Sequence, residues 1–164
     1  MNEITKKEIK FFVSYAHENE RLATSFIKKF IAITKPAKNY EYSFWTDKNL
    51  LAGQKWKDTI QKALDECTLG LLLVSPEFLA SKYITKQELP RFVGNDAKPL
   101  IPVMLLKVNL KRHDLKGLEE FQIFMLEKRN FKESKAYSQC STKQRDDFIN
   151  DLYEEVESRL DTLD

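Results

Sequence analysis

Short apolar runs alternate with longer amphipathic stretches along most of the chain. The runs are six or seven residues long and rich in β-branched and aromatic residues, which is typical of buried strands. They are Ile9–Tyr15, Tyr40–Trp45, Leu69–Val74, Leu100–Leu106 and a fifth run, Phe121–Leu126. Leu69–Val74 is apolar on both alternating faces and therefore predicts a central strand that is covered on two sides.

Apolar residues elsewhere recur at helical spacing and predict three long amphipathic helices. Their apolar positions are Leu22, Phe26, Ile27, Phe30 and Ile31; Trp56, Ile60, Ala63, Leu64 and Cys67; and, within the last helix at 144–163, Phe148, Ile149, Leu152, Val156, Leu160 and Leu163. We expect Asn19 to cap the first helix, and the run from Ser75 to Glu77 to begin another after the third strand. The polar segment 127–143 predicts irregular structure.

Strands that alternate with helices and are joined by short loops predict βαβ units with right-handed crossovers. Residues 1–164 are therefore expected to form one α/β domain, a flavodoxin-like three-layer fold with a central parallel five-stranded sheet flanked by helices. Pro102 lacks an amide donor and favours an edge position for its strand. Ligands of such sheets bind beyond the carboxyl ends of the strands. This rule predicts one cleft formed by segments 14–18, 45–53 and 75–88.

Composition narrows the class of partner. Hydrophobic residues make up 42% and charged residues 32% of the 164 residues, and the formal net charge is +2 with both signs interspersed. Since there is no basic block, we expect no direct contact with nucleic acid. No apolar run is long enough to span a bilayer, so we expect no membrane partner and a cytoplasmic location. Cys67 and Cys140 fit free thiols in a reducing compartment.

Several familiar sites are excluded by residue type. The four glycines are too scattered for a phosphate-binding glycine loop, and two isolated histidines with two isolated cysteines predict no metal site. The strand tips also lack the aspartates of a response-regulator receiver. Ser14 and His17 lie close enough in the chain to suggest a nucleophile and its base, although a polar pair in one loop is usually incidental.

Boxes of residues at the predicted strand ends occur in a characteristic order. They are Phe11–Glu18; Trp45–Asp47 with Leu51–Gly53 and Trp56; Leu72–Ser81 with Glu88–Pro90; Leu100–Val103; and Phe121–Gln122. Together the boxes resemble the TIR (Toll/interleukin-1 receptor) domain family, most closely its bacterial members. The resemblance covers 10–126, and the last helix is also expected in this family.

The resemblance implies two kinds of function. Many TIR domains cleave NAD⁺ at the nicotinamide–ribose bond, releasing nicotinamide with ADP-ribose or a cyclic variant, often as an immune signal such as a bacterial response to phage. NAD⁺ is then the substrate, no cofactor is needed, and self-assembly activates the enzyme. Other members are non-catalytic scaffolds that act through TIR–TIR contacts or with a sensor domain or partner protein outside this chain. A deoxyribosyltransferase-like enzyme is a third hypothesis.

Glu88 matches the position of the family's catalytic glutamate. Cleavage of the N-glycosidic bond develops positive charge on the ribose, which one nearby carboxylate can stabilise. Nicotinamide leaves as a neutral molecule, so no general acid is required. The alternative is structural, because Thr85 to Glu88 has the spacing of a capping box. Pro90 disfavours a helix that begins there, and a helix from about Ser81 with a kink near Pro90 fits equally well.

The resemblance also implies roles for residues around Glu88. The first strand tip lines the nicotinamide pocket, and Asp47, itself a potential turn former, opens a 47–53 loop that gates the site and joins TIR assemblies. Many NAD⁺-cleaving members carry tryptophan four residues before the glutamate. That position is Ile84 here, so either the neighbouring Tyr83 makes the aromatic contact with the ligand or this contact is missing. The substrate-binding candidates are Ser14, Tyr15, Ala16, His17, Trp45, Asp47, Tyr83 and Ile84.

The two tryptophans differ in their sequence context. Trp45 ends a strand-like run, where it fits either ligand contact or, more commonly, anchoring of the strand in the core. Trp56 lies on the apolar stripe of its helix, and this periodicity favours a structural role for it.

Overall fold

A four-stranded parallel sheet forms the centre of the computed structural model, which describes residues 5–163. Its strands are β1 (Lys7–Ser14), β2 (Tyr40–Trp45), β3 (Leu69–Val74) and β4 (Leu100–Met104), in the spatial order β2-β1-β3-β4. The main helices are α1 (Glu20–Thr34), α2 (Trp56–Glu66), α3 (Pro76–Ala80) and α4 (Thr142–Asp161). Residues 1–4 and 164 of the predicted domain lie outside this description.

Successive side chains of each strand point to opposite faces of the sheet, so each face has its own core. One core joins the sheet to α1 and α4 and includes Phe11, Leu71, Phe26, Phe30, Phe148 and Leu152. The other joins it to α2 and α3 and includes Phe12, Leu72, Ile60, Leu64, Phe78 and Phe92. β3 is buried along its whole length, as its unbroken apolar run predicts. The predicted α/β fold, with helices on both faces of a parallel sheet, is confirmed.

The predicted fifth strand, Phe121–Leu126, is wrong because only one of its residues pairs with the sheet. The Phe124 amide donates to the Pro102 carbonyl at 2.8 Å, and the Phe124 carbonyl accepts from the Met104 amide at 2.9 Å. At Leu126 the chain instead forms an antiparallel bridge with a later segment. The side chain of Leu126 is fully buried, so the apolar run reflects burial rather than an extended ladder. The proline-containing β4 ends the sheet, as predicted.

Helix ends follow the sequence signals with two differences, at the starts of α1 and α4. Ser75 Oγ accepts from the Phe78 amide at 2.9 Å and caps α3, as predicted. Asn19 occupies the N-cap position of α1, as predicted, but a 3₁₀ turn (His17–Asn19) leads into the helix and the Asn19 side chain makes no capping bond. The Ser75 hydroxyl occupies the Asn19 side-chain oxygen instead. α4 begins two residues before the predicted start.

The polar segment 127–143 is largely irregular, as predicted, but it carries a buried aromatic anchor. Tyr137 has no exposed surface and meets the rings of Phe26 and Phe148 edge-on, with centroids 5.2 and 5.4 Å away. The Arg145 guanidinium lies 4.7 Å from the centroid of the same ring. These aromatic and cation–π contacts attach the segment to the core between α1 and α4.

Three further observations concern the cysteines, metal sites and membrane-spanning helices of the described residues. Cys67 and Cys140 are both buried free thiols. Within residues 5–163, no cluster of three or more His, Cys, Asp and Glu side chains has the arrangement of a metal site. None of the helices in the same range is both long and apolar enough to cross a bilayer.

Candidate functional site

A cavity of about 520 Å³ opens at the carboxyl ends of the strands. The end of β1, the loop after β2, the first turns of α2 and the segment after α3 all contribute to it. The lining residues are Tyr15, Ala16, His17, Glu18, Asp47, Leu50, Trp56, Ile60, Ser81, Tyr83, Ile84 and Glu88. The cavity thus lies where the rule for parallel sheets predicts a cleft.

Glu88 lies deep in the wall of this cavity. It is only 8% exposed, and Ser14 Oγ at the end of β1 donates a hydrogen bond to Glu88 Oε1 at 2.6 Å. Glu88 ends a π-helical segment (Ile84–Glu88), and a 3₁₀ turn (Leu89–Arg91) that contains Pro90 follows. Because proline has no amide hydrogen, a regular α-helix cannot continue through this point. The resulting irregular backbone turns the Glu88 side chain toward β1.

The capping-box interpretation of this segment is wrong. Helical backbone begins at Lys82, and Thr85 Oγ1 donates to the Ser81 carbonyl at 2.8 Å instead of capping a new helix. The Glu88 carboxyl is occupied by the hydroxyl of β1 rather than by a cap amide. The structure therefore agrees with the competing interpretation, a helix that begins near Ser81 and is interrupted near Pro90.

Burial raises the pKa of Glu88 from its ordinary 4.5 to about 7. The hydrogen bond from Ser14 opposes the rise, the Asp47 charge adds to it, and the His17 imidazole lowers it again. A carboxyl with this pKa is ionised in about half of the molecules near neutral pH. A cation that enters the cavity would shift Glu88 further toward its ionised form.

Asp47 connects the loop after β2 to the end of β1. The Tyr15 hydroxyl donates to Asp47 Oδ1 at 3.3 Å, and His17 Nε2 lies 3.2 Å from Asp47 Oδ2. Burial, together with the nearby carboxylate, raises the pKa of Tyr15, so the phenol stays protonated as a donor. Asp47 also opens a 3₁₀ turn that the Thr46 hydroxyl caps. Asp47 therefore both begins a turn and forms part of the cavity wall.

Six of the eight substrate-binding candidates line the cavity and two do not. Tyr15, Ala16, His17, Asp47, Tyr83 and Ile84 line it, with Ile84 otherwise buried. Ser14 is buried behind Glu88, and its hydroxyl donates to that carboxyl rather than to His17, which faces Asp47. Trp45 stacks on Phe12 with centroids 5.1 Å apart, which is the arrangement of a strand anchor.

Sequence reasoning missed Trp56. The periodicity favoured a structural role, but Trp56 is 48% exposed and lines the cavity, whereas Ile60 and Leu64 on the same stripe are buried. Its ring meets that of Tyr83 with centroids 5.5 Å apart. Periodicity identifies the face of a helix but not where that face leaves the core. The usable signal was that Trp56 opens its helix next to a strand-tip loop.

A sequence model described as the TIR domain matches residues 11–140, which is more than half of the chain. This chain belongs to the TIR domain family. The predicted membership is therefore confirmed, and the match extends beyond the predicted range to the buried turn at Tyr137, stopping before α4. No curated protein matches the chain.

A buried polar network joins two strand tips of the TIR domain. Ser75 Oγ donates to Asn19 Oδ1 at 2.6 Å, and Asn19 Nδ2 donates to Glu77 Oε1 at 2.9 Å. Both Ser75 and Asn19 are buried, so these bonds hold the end of β1 against the start of α3 in a low-dielectric setting. Sequence analysis assigned Ser75 to a helix cap and missed this link, because it joins distant parts of the chain.

Charge in the cavity of the TIR domain is unbalanced. Glu18, Asp47 and Glu88 contribute three carboxyl groups, and none of the described lining residues is lysine or arginine. His17 is the one lining side chain that can become positive. The lining therefore favours a cationic ligand, and a buried carboxyl beside it can stabilise positive charge that develops in a reaction.

Proposed function

We propose that this TIR domain cleaves NAD⁺ at the nicotinamide–ribose bond, releasing nicotinamide and ADP-ribose or a cyclic ADP-ribose variant. The observation that carries the proposal is a buried carboxyl, Glu88, in a strand-tip cavity whose lining contains three carboxyls and no lysine or arginine. The TIR family includes members with this activity. The pyridinium ring of NAD⁺ is the cation that such a lining suits.

The proposed reaction needs one acid group in its ionised form. As the carbon–nitrogen bond breaks, its electron pair leaves with nicotinamide, and the positive charge moves from the ring to the ribose. The Glu88 carboxylate stabilises this oxocarbenium-like charge, as carboxylates do in glycoside cleavage. Water then forms the new bond to the ribose carbon and releases one proton to the solvent, or a nitrogen of the adenine forms that bond with its lone pair. Because nicotinamide leaves neutral, no proton donor is required.

The remaining candidates have supporting roles in this proposal. Tyr15, Ala16 and His17 form the wall next to the nicotinamide, and Asp47, through its contacts with Tyr15 and His17, holds that wall in place. Ser14 positions the Glu88 carboxyl and favours its ionised form. Tyr83 and Ile84 close the side of the cavity that follows α3. Trp45 supports this wall from the core rather than by ligand contact.

Self-assembly is the proposed means of activation. The 47–53 loop borders the cavity and presents Leu51, which is 69% exposed, as an apolar group for contact with a second copy. We propose that residues 1–164 form a single domain that acts in the cytoplasm in a bacterial immune response. A sensor domain or partner protein outside this chain would control its assembly. The same exposed loop favours a second candidate function, a non-catalytic scaffold that acts through TIR–TIR contacts.

Nicotinamide release from NAD⁺ by concentrated protein tests the proposal. We expect turnover by the wild type, its loss in Glu88→Gln, and wild-type turnover in Glu120→Gln, a matched change at an exposed glutamate outside the cavity. Equal turnover by the wild type and Glu88→Gln would refute the catalytic role. No turnover at any protein concentration, with self-association intact, would favour the scaffold. Free nucleosides in parallel reactions test the deoxyribosyltransferase-like alternative.

A further inference from the structure

The aromatic pair formed by Trp56 and Tyr83 is the least protected apolar surface of the cavity. Trp56 is 48% exposed, although a tryptophan in the first turn of an amphipathic helix would ordinarily be covered by its own chain. The two rings come from different elements, α2 and the segment after α3, and their planes are inclined at 56°. Ring contact across two elements fixes the orientation of the indole and leaves its surface facing the cavity.

A cation already lies near the indole ring. The Lys57 ammonium is 5.5 Å from the centroid of the Trp56 ring, within the range of a cation–π contact. The cavity wall beyond the indole carries Asp47 and Glu88 but no lysine or arginine among its described residues. The Lys57 ammonium repels a cationic ligand on its own side of the indole, so the attraction for a flat ring with delocalised positive charge comes from the exposed part of the indole and from the carboxyls Asp47 and Glu88.

We propose that Trp56 is the platform on which the positively charged nicotinamide ring of NAD⁺ stacks, with Tyr83 holding the indole in place. This inference rests on the proposed function and deepens it by naming the residue that selects a cationic ring. Ile84, which lies beside Tyr83 in the chain, has no aromatic ring to offer. The platform thus comes from α2 and lies against Tyr83 in the same cavity.

A cation–π platform should act on substrate binding rather than on the chemical step. Its attraction depends on the ring charge, which is present in bound NAD⁺ and leaves the ring as the bond breaks. Such binding is at least as strong in the ground state as in the transition state, so its loss raises KM without lowering kcat. A merely structural role for Trp56 would instead lower kcat or the melting temperature.

Kinetics of Trp56→Ala and Trp56→Phe provide the first test. We expect Trp56→Ala to raise KM for NAD⁺ roughly 5- to 30-fold with kcat unchanged or slightly higher, and Trp56→Phe to restore most of the affinity. Leu110→Ala, at another exposed apolar residue outside the cavity, should leave both parameters at the wild-type level. An unchanged KM in Trp56→Ala would overturn the platform while leaving cleavage by Glu88 in place.

Binding without turnover provides the second test and separates the two proposals. In a Glu88→Gln background, calorimetry compares NAD⁺ with NADH, which has nearly the same size but a neutral dihydropyridine ring. We expect the preference for NAD⁺ to fall roughly 5- to 30-fold when Trp56→Ala is added. An equal preference with and without Trp56 would overturn the inference. If the wild type neither binds nor cleaves NAD⁺, the proposed function and the inference fail together.

Discussion

Two walls of one cavity carry carboxyl groups in opposite settings. On the wall after α3, Glu88 is 8% exposed and receives one hydrogen bond, from a buried serine. On the 47–53 loop, the Asp47 side chain is 31% exposed and contacts both Tyr15 and His17. Burial without a salt-bridge partner disfavours the charged form of Glu88, whereas Asp47 keeps contact with water and has two polar partners.

The difference separates the work that each group can do. A carboxylate in a low-dielectric wall interacts strongly with a positive charge beside it, because little water screens the pair. A carboxylate on an exposed loop is screened, and its main effect is to position the groups that it contacts. We therefore expect Glu88 to control the chemical step and Asp47 to control the shape of the entrance.

The largest expected effect comes from removing each charge in turn. Glu88→Gln keeps the shape of the side chain but cannot become negative, and we expect kcat/KM for NAD⁺ to fall about 10²- to 10³-fold, as for loss of a preorganised electrostatic group. Asp47→Asn should reduce it by no more than about 10-fold, since it loosens the entrance only. Nicotinamide release under identical conditions measures both. Similar losses in the two variants would remove the distinction between the walls.

At high pH, neutralising Glu88 and neutralising Asp47 should change the free energy of unfolding in different directions. The pKa of Glu88 is higher in the folded chain than its ordinary 4.5, so the fold favours the protonated form. Its contribution to stability is complete below about pH 4.5 and is lost as the pH rises toward 7. We expect Glu88→Gln to raise the free energy of unfolding at pH 8.5 by up to about 3 kcal/mol and to have little effect at pH 4.

Urea unfolding at the two pH values checks this sign. Asp47→Asn serves as the matched control, and we expect it to be neutral or mildly destabilising at pH 8.5, because it weakens the contacts with Tyr15 and His17. A destabilised Glu88→Gln at pH 8.5 would mean that the ionised carboxylate is well stabilised in its wall, contrary to its burial.

A smaller effect concerns the pH dependence of cleavage. If ionised Glu88 is the active form, kcat/KM should rise with pH and level off above about pH 7, the pKa of the free enzyme. Ser14→Ala removes a hydrogen bond that lowers this pKa, so the whole profile should move to higher pH. Turnover at pH 7 should then fall several-fold while the plateau at high pH is nearly retained. A profile that drops at every pH without moving would contradict the positioning role of Ser14.

The four strands and the main helices could be predicted from the sequence because each has a local hydrophobic pattern of its own. β3 is apolar at every position and is buried on both faces, and the stripe through Ile60 and Leu64 is buried as its spacing requires. The error at Phe121–Leu126 has a physical origin. An apolar run of strand length reports burial, but whether it forms a ladder depends on backbone partners that no local pattern specifies.

The site was predictable in position but only partly in composition. The order of the strands and motifs predicted the position of the cavity and pointed to Glu88, because the carboxyl ends of parallel strands meet at one edge of the sheet. The bond from Ser14 to Glu88 joins residues 74 positions apart, and the exposure of Trp56 depends on where α2 leaves the core. Long-range contacts and depth along a helix face are set by tertiary packing, which the spacing of one segment does not contain.

The smallest expected effect on the stability of the fold comes from a substitution in the exposed 47–53 loop. Leu51 in the 47–53 loop is 69% exposed, so Leu51→Ser should change the free energy of unfolding by less than about 0.5 kcal/mol. The same change should weaken self-association, measured by sedimentation, and lower NAD⁺ cleavage at low protein concentration more than at high concentration. Leu163→Ser, at an exposed leucine that follows α4, is the control and should affect neither. If Leu51→Ser left association and its concentration dependence unchanged, the loop would shape only the cavity entrance, and assembly would have to use another surface.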